Sequence, residues 1–162
     1  MFPQCEYRIS YPNKTETFTH YSNLHLLQYI SDFDTIGGKV RYFRKCQNML
    51  QETLAIKADI DVCTIKRLEN NQVVPTLETC KKISVALNIP TDFIYDDYLK
   101  FIDSDYSLFL KNLRKQLNLT QPQLAKELGL TKKTISFWER KVAFPSPQNY
   151  KLLCEYIIKG SP

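Results

Sequence analysis

A chain of 162 residues has room for one ordinary domain or two small ones. Its 43% hydrophobic and 24% charged content, with only four glycines, excludes a disordered or low-complexity protein, and no run approaches the roughly 18 apolar residues of a membrane span. The net charge of +5 is unevenly spread: residues 1–35 carry −2, 36–95 +3, 96–105 −3 and 106–162 +7, which points the last segment toward a polyanion.

In chain order, the first 35 residues stand apart. Met1-Phe2-Pro3-Gln4-Cys5 lacks the basic-then-apolar pattern of an export signal, so a cytoplasmic location is expected. Cys5 to Tyr11 alternates apolar and polar residues, Pro12-Asn13 is a turn signal, and Thr15 to Tyr21 is rich in β-formers; a hairpin is expected, followed by a short helix over Ser22 to Ser31. Phe18, Tyr21, Leu24, Leu27 and Ile30 would cover the next domain or a partner. Cys5, His20 and His25 lack a fourth ligand and a recognisable spacing, so no metal is expected. The five cysteines are odd in number and widely spaced, as free thiols in a reducing compartment would be.

Beyond residue 35 the chain repeats itself at an offset of 70, without a gap. Gln51 falls on Gln121, Leu54-Ala55 on Leu124-Ala125, Thr64-Ile65 on Thr134-Ile135, Glu69 on Glu139 and Pro75 on Pro145. Arg44-Lys45, Asn48 and Lys81 recur as Arg114-Lys115, Asn118 and Lys151. Two small domains of one fold are therefore expected, at 36–95 and 106–162, with a short acidic joint at 96–105.

Each copy opens with a helix carrying one apolar stripe, through Val40 and Phe43 or Leu110 and Leu113. A short second helix spans Gln51 to Ala58 and Gln121 to Leu128; in the second copy Thr120-x-x-Gln123 is a capping box and Gly129 supplies the left-handed residue that ends the helix. Asp61 and Thr131 are the natural N-caps of a third helix, whose narrow inner face is Ile65-Leu68 or Ile135-Trp138. A fourth helix follows Pro75 or Pro145, over Leu77 to Leu87 and Gln148 to Ile158. The first copy adds a fifth, over Thr91 to Tyr98. The joint, rich in Tyr98, Leu99, Phe101 and Ile102 and free of Gly and Pro, reads as packed helix or short turn.

The run from Leu113 to Arg140, LRKQLNLTQPQLAKELGLTKKTISFWER, resembles the lambda-repressor-like (Cro/repressor-type, Xre-type) helix-turn-helix family almost throughout. The first copy is similar through Ile36-Gly37, Arg44, Gln51, Leu54-Ala55, Thr64-Ile65, Arg67-Leu68-Glu69-Asn70 and Pro75-x-Leu77-Glu78-Thr79. The resemblance implies an all-α protein of two tandem helix-turn-helix domains behind a small N-terminal extension. It also implies binding of double-stranded DNA: a short helix crosses the backbone and the next lies in the major groove with its N-terminal, outward residues at base edges.

On that basis the third helices present Val62, Cys63, Lys66 and Arg67 in the first copy and Lys132, Lys133, Ser136 and Phe137 in the second. Gln51 and Gln121, with Thr64 and Thr134, are expected at phosphates, helped by the free amides of a helix start; the alternative for the glutamines is support of that start alone. Phe137 would meet a thymine methyl or pack on the following loop. Arg44 with Glu69 and Arg114 with Glu139 are assigned to structure, as an ion pair between the first helix and the end of the third. The copies are unequal, because Lys132 and Lys133 donate to guanine edges where Val62 and Cys63 offer apolar contact. Leu50 and Asp59 also stand in the first copy where the second has the Thr120 cap and Gly129.

No glycine-rich phosphate loop, nucleophile elbow or paired catalytic carboxylates appear, so neither an enzyme nor a cofactor is expected. The leading expectation is a transcriptional regulator, a repressor that reads two unlike half-sites. A homodimer, or a protein partner bound by the first domain and the extension of an antitoxin-like or adaptor protein, is the alternative, with an accessory to a nuclease or recombinase more distant.

Overall fold

The computed structural model describes residues 4–11, 14–21 and 159 by their backbone, and residues 34–158 in full. Strands β1 (Gln4–Tyr11) and β2 (Lys14–Tyr21) pair antiparallel, from Gln4 opposite Tyr21 to Tyr11 opposite Lys14. The turn at Pro12-Asn13 and the helix expected over 22–31 lie outside the described residues, as do the side chains of Cys5, Phe18, His20 and Tyr21. The chain divides into two compact units, Met1–Pro75 with Val85–Asn88, and Thr76–Ser84 with Ile89–Pro162.

In the first unit, α1 (Ile36–Cys46), α2 (Gln51–Ala58) and α3 (Val62–Glu69) follow one another through tight turns, and both α1 and α2 pack on α3. The apolar stripe buries Ile36, Val40, Leu54, Ala55, Ala58, Ile65 and Leu68. Thr35 caps α1 through Gly38 N–H at 3.0 Å, and Asp61 caps α3 through the N–H groups of Cys63 and Thr64. Leu50, before α2, makes no side-chain cap and is 67% exposed, and Asp59 closes α2 at φ 53°. A β-carbon in that left-handed turn costs energy that Gly129, at φ 65° in the second copy, does not incur.

α4 (Leu77–Leu87) is as expected, but the fifth helix is not. Thr91–Phe93 forms a single 3-10 turn, and the chain restarts as α5 (Asp97–Asp103) because Asp96, extended at ψ 176°, caps a new helix through Leu99 N–H at 2.8 Å. The acidic joint is thus helical.

The second unit carries the second copy as α6 (Tyr106–Gln116), α7 (Gln121–Glu127), α8 (Lys132–Glu139) and α9 (Pro147–Lys159). Gln123 Oε1 accepts from the N–H and hydroxyl of Thr120, and Thr131 caps α8 through Thr134 N–H. α9 begins one residue earlier than expected, with Pro147 in a first turn where its missing N–H goes unneeded. Tyr106, Leu110, Leu124, Ala125, Leu128, Ile135, Trp138 and Leu153 form the core. α5 lies on it: the Phe101 ring sits 4.9 Å from Tyr150 and 5.7 Å, edge on, from Phe109, and Tyr98 donates to the Pro145 carbonyl at 3.0 Å. The joint helix therefore roofs the start of α9.

Left-handed residues end the helices at matched places: Asn48 and Asn118, Asp59 and Gly129, Asn71 and Lys141. Behind each pair the same backbone bond reaches back five residues, from Met49 to Arg44 and Leu119 to Arg114, from Ile60 to Ala55 and Leu130 to Ala125, and from Gln72 to Arg67 and Val142 to Phe137. No helix among the described residues is long and apolar enough to cross a membrane. Cys46, Cys63, Cys80 and Cys154 are free thiols.

Two substitutions test this account in opposite directions. A β-carbon on Gly37 would run into the Leu68 carbonyl at the α1–α3 contact, with Asn71 Oδ1 at 2.8 Å. Gly37→Ala should therefore destabilise by about 1–3 kcal/mol, despite alanine's better helix propensity. Leu50→Thr supplies the missing cap at an exposed site and should stabilise by about 1 kcal/mol. Urea melts measure both, and a Gly37→Ala protein as stable as the wild type would contradict the close approach.

Candidate nucleic-acid interface

Each candidate surface begins from a buried carboxylate. Glu69 and Glu139 close α3 and α8, and their side chains are 1% and 4% exposed. Such a charge has to be answered by hydrogen bonds and an opposite charge. Arg44 meets Glu69 with Nε on Oε1 at 2.6 Å and Nη2 on Oε2 at 2.7 Å, and Arg114 meets Glu139 the same way at 2.8 and 3.2 Å. The remaining arm of each guanidinium donates to the turn after the first helix, Nη1 to Met49 O at 2.7 Å and to Leu119 O at 3.1 Å. One planar fork thus fixes the first helix, its turn and the end of the third helix together.

Gln51 and Gln121 complete the network. Each is the first residue of α2 or α7, half-buried, and donates Nε2–H to the glutamate Oε2 at 2.8 Å. An amide carries two N–H groups, so one is spent on the glutamate and one is left. The support and phosphate roles weighed for these residues are therefore compatible. The glutamate backbone carbonyl is satisfied differently in the two copies, by Arg41 Nη2 on Glu69 O and by the Ser107 hydroxyl on Glu139 O at 2.6 Å.

With the helix ends held, the outward residues of α3 and α8 fall on one face of each. Cys63, Lys66 and Arg67 are exposed on α3, with Val62 and Thr64 half-buried. On α8, Lys132 and Lys133 are exposed, with Thr134, Ser136 and Phe137 half-buried. The Thr134 hydroxyl is 2.9 Å from that of Thr131.

The charges on these faces are spent differently. Lys66 pairs with Glu52 on α2 at 3.2 Å, and the α3 start is capped by the Asp61 carboxylate. The corresponding second-copy residues are Ser136, Pro122 and Thr131, so α8 carries no acid at its start. The Glu52 carboxyl is held below its ordinary range, first by its own backbone N–H and then by Lys66. Lys133 instead stands over the Phe137 ring, Nζ to centroid 5.4 Å, and Arg140 approaches the same ring at 5.4 Å. Phe137 thus makes a third kind of contact beside the two expected for it.

Arg140 and Glu52 escaped the reading of the sequence. Arg140 follows Phe137 by three residues, a spacing that brings side chains together at a helix end and could have signalled it. The Glu52–Lys66 pair joins two helices and leaves no trace in local spacing. Among the described residues no group of three or more His, Cys, Asp or Glu is placed to hold a metal.

The helix-turn-helix family model (HTH_3) matches the chain twice, at residues 40–94 and 110–158. The crystal structure of the restriction-modification controller protein C.AhdI from Aeromonas hydrophila is 26% identical to this chain, over 40% of this chain and 98% of its own, with a TM-score of 0.38. No curated protein matches the chain.

The buried pairs make a prediction in both copies. Removing one partner strands the other, so Glu69→Ala should cost about 3–5 kcal/mol; Glu139→Ala should cost less, because Arg114 is 21% exposed against 10% for Arg44. Burial opposes the Glu139 charge, but hydrogen bonds from Arg114 and Gln121 outweigh it and carry its pKa below the ordinary 4.5. A carboxylate with a depressed folded pKa contributes stability that is present above the unfolded value and lost as pH falls through the folded one. Melts in a pH series should show the wild type losing stability below about pH 4.5, with a flatter curve for Glu139→Gln. Parallel curves would contradict the assignment.

Proposed function

The chain belongs to the lambda-repressor-like helix-turn-helix family of DNA-binding transcription regulators, and from that membership we propose that it is a repressor which reads the major groove with two unlike recognition helices, the second dominant. In this reading α8 enters the groove with Lys132, Lys133, Ser136 and Phe137 toward the bases, while Gln121 and Thr134 grip phosphate. α3 makes a weaker contact through Val62, Cys63, Lys66 and Arg67, with Gln51 and Thr64 at phosphate. Because the two sets of readers differ, the site is not a palindrome. Bound over a promoter, the protein excludes polymerase.

One observation carries this reading. α8 is held at its end by the Arg114–Glu139–Gln121 network while the two lysines at its start stay exposed beside a neutral cap. A fixed helix with exposed cations at its N-terminus is what groove recognition needs, since the dipole there and the ammonium groups act in the same sense on a polyanion. The family is a regulator type and not an enzymatic one.

A second reading, in which the first copy binds a protein, draws on a specific contrast. Its corresponding face carries Glu52, Asp59 and Asp61, with Leu50 and Ile56 exposed at 67% and 81%. Acids among exposed apolar residues disfavour phosphate and suit a basic, apolar protein surface.

Selection of bound duplexes from a random pool, with wild type and Lys133→Ala, tests the proposal. Loss of a base-reading lysine should cost about 1–3 kcal/mol on the preferred site and relax preference at one position. A lysine that touches phosphate alone would instead weaken all sequences equally and lower the salt slope by about one. Identical motifs and affinities from both proteins would remove Lys133 from the interface. Transcription from a promoter carrying the selected site should fall on adding the protein, and a rise would overturn the repressor role.

A further inference from the structure

The second copy contains a side-chain arrangement that the first lacks. Lys133 and Phe137 are one turn apart on α8, and Arg140 caps its end; both cations stand 5.4 Å from the same half-buried ring. Arg140 is further tied back by Nε on the Ser136 carbonyl at 3.2 Å. The corresponding first-copy residues are Cys63, Arg67 and Asn70, with no ring, and Asn70 is occupied by Arg41 at 3.2 Å.

The two ways of holding a cation differ in what they leave available. Lys66, paired with Glu52, has its charge answered by a carboxylate. A cation on an aromatic face is attracted by the ring quadrupole and gives up no N–H donor. Among the described residues neither Lys133 nor Arg140 is held by a carboxylate. Lys133 keeps its ammonium donors, and Arg140 keeps the Nη groups of its fork. Long flexible side chains fixed before binding lose less entropy when they bind.

Resting on the reading of α8 as the groove helix, we propose that Lys133, Phe137 and Arg140 are one pre-organised reader: Phe137 holds the two cations apart on its ring, so that Lys133 meets a guanine edge while Arg140 grips the flanking phosphate. Phe137 is then a positioning and specificity-determining residue, and Arg140 a phosphate contact. The division of labour follows from position. Residues at the start of a recognition helix face base edges, and those past its end face the backbone.

The full chain, with its wild-type selected duplex and a random pool, provides the test. Phe137→Leu keeps an apolar side chain but removes the ring; it should weaken the preferred site by about five- to tenfold and flatten preference at the base read by Lys133. Phe137→Trp should restore both. Lys133→Ala with Phe137→Leu should be no weaker than the worse single variant within about twofold, because the two act as a unit. Arg140→Gln should weaken all sequences alike and lower the salt slope by about one. An unchanged motif for Phe137→Leu, with or without a lower melting temperature, would overturn the proposal and leave DNA reading by α8 standing, as would losses that simply multiply. A wild-type chain that selects no motif would overturn both.

Discussion

A carboxylate buried at the last residue of the third helix of each copy imposes a condition on everything around it. Desolvation makes the ion costly, and the cost is met by a guanidinium that reaches both oxygens at 2.6 and 2.7 Å in one copy and 2.8 and 3.2 Å in the other. To do so the arginine must leave the first helix at one place and angle, and its spare arm then secures the turn that follows. The glutamine beside it ties the first residue of the second helix to the same carboxylate. Such a network stabilises less than an apolar cluster of the same volume would, but it holds the third helix in one orientation. The arginine and glutamine bonds to the glutamate, and the arginine bond to the turn, recur at the offset of 70, while the partner of the glutamate carbonyl and the outward residues do not.

The two copies therefore act as an internal comparison. Shared geometry isolates what has changed on the outer face: Glu52, Asp59 and Asp61 in one, Pro122, Gly129 and Thr131 in the other. The acids lower the attraction for phosphate at two helix starts. The Glu52–Lys66 pair is exposed on both sides and adds little stability, so its consequence lies in the charge it neutralises. On α8 a ring takes the place of an acid, and the positive charge remains outward.

Much of the fold was legible because it rests on local chemistry. Asp61, Thr131 and Gly129 mark helix ends through bonds a few residues long, and the register of Ile65-Leu68 and Ile135-Trp138 follows from helical period. The Arg–Glu pair was legible only through family resemblance, since 25 residues separate its members. What was not legible has the same origin. Thr91 to Tyr98 reads as one helix by composition, and the break comes from Asp96, which caps a new helix at Asp97–Asp103. Gln51 and Gln121 were assigned to phosphate without sight of the glutamate that takes one of their donors. Glu52 with Lys66 is a tertiary contact that no spacing encodes.

The central claim is that α8 of the second copy, fixed from behind by Glu139, is the principal surface for DNA. Titrating the isotope-labelled full chain with its selected duplex and following backbone amide shifts examines that surface directly. The account predicts that the largest perturbations fall on Gln121 and on residues 131–140, with smaller ones along α3. Perturbations concentrated on residues 51–67, with α8 unmoved, would contradict it.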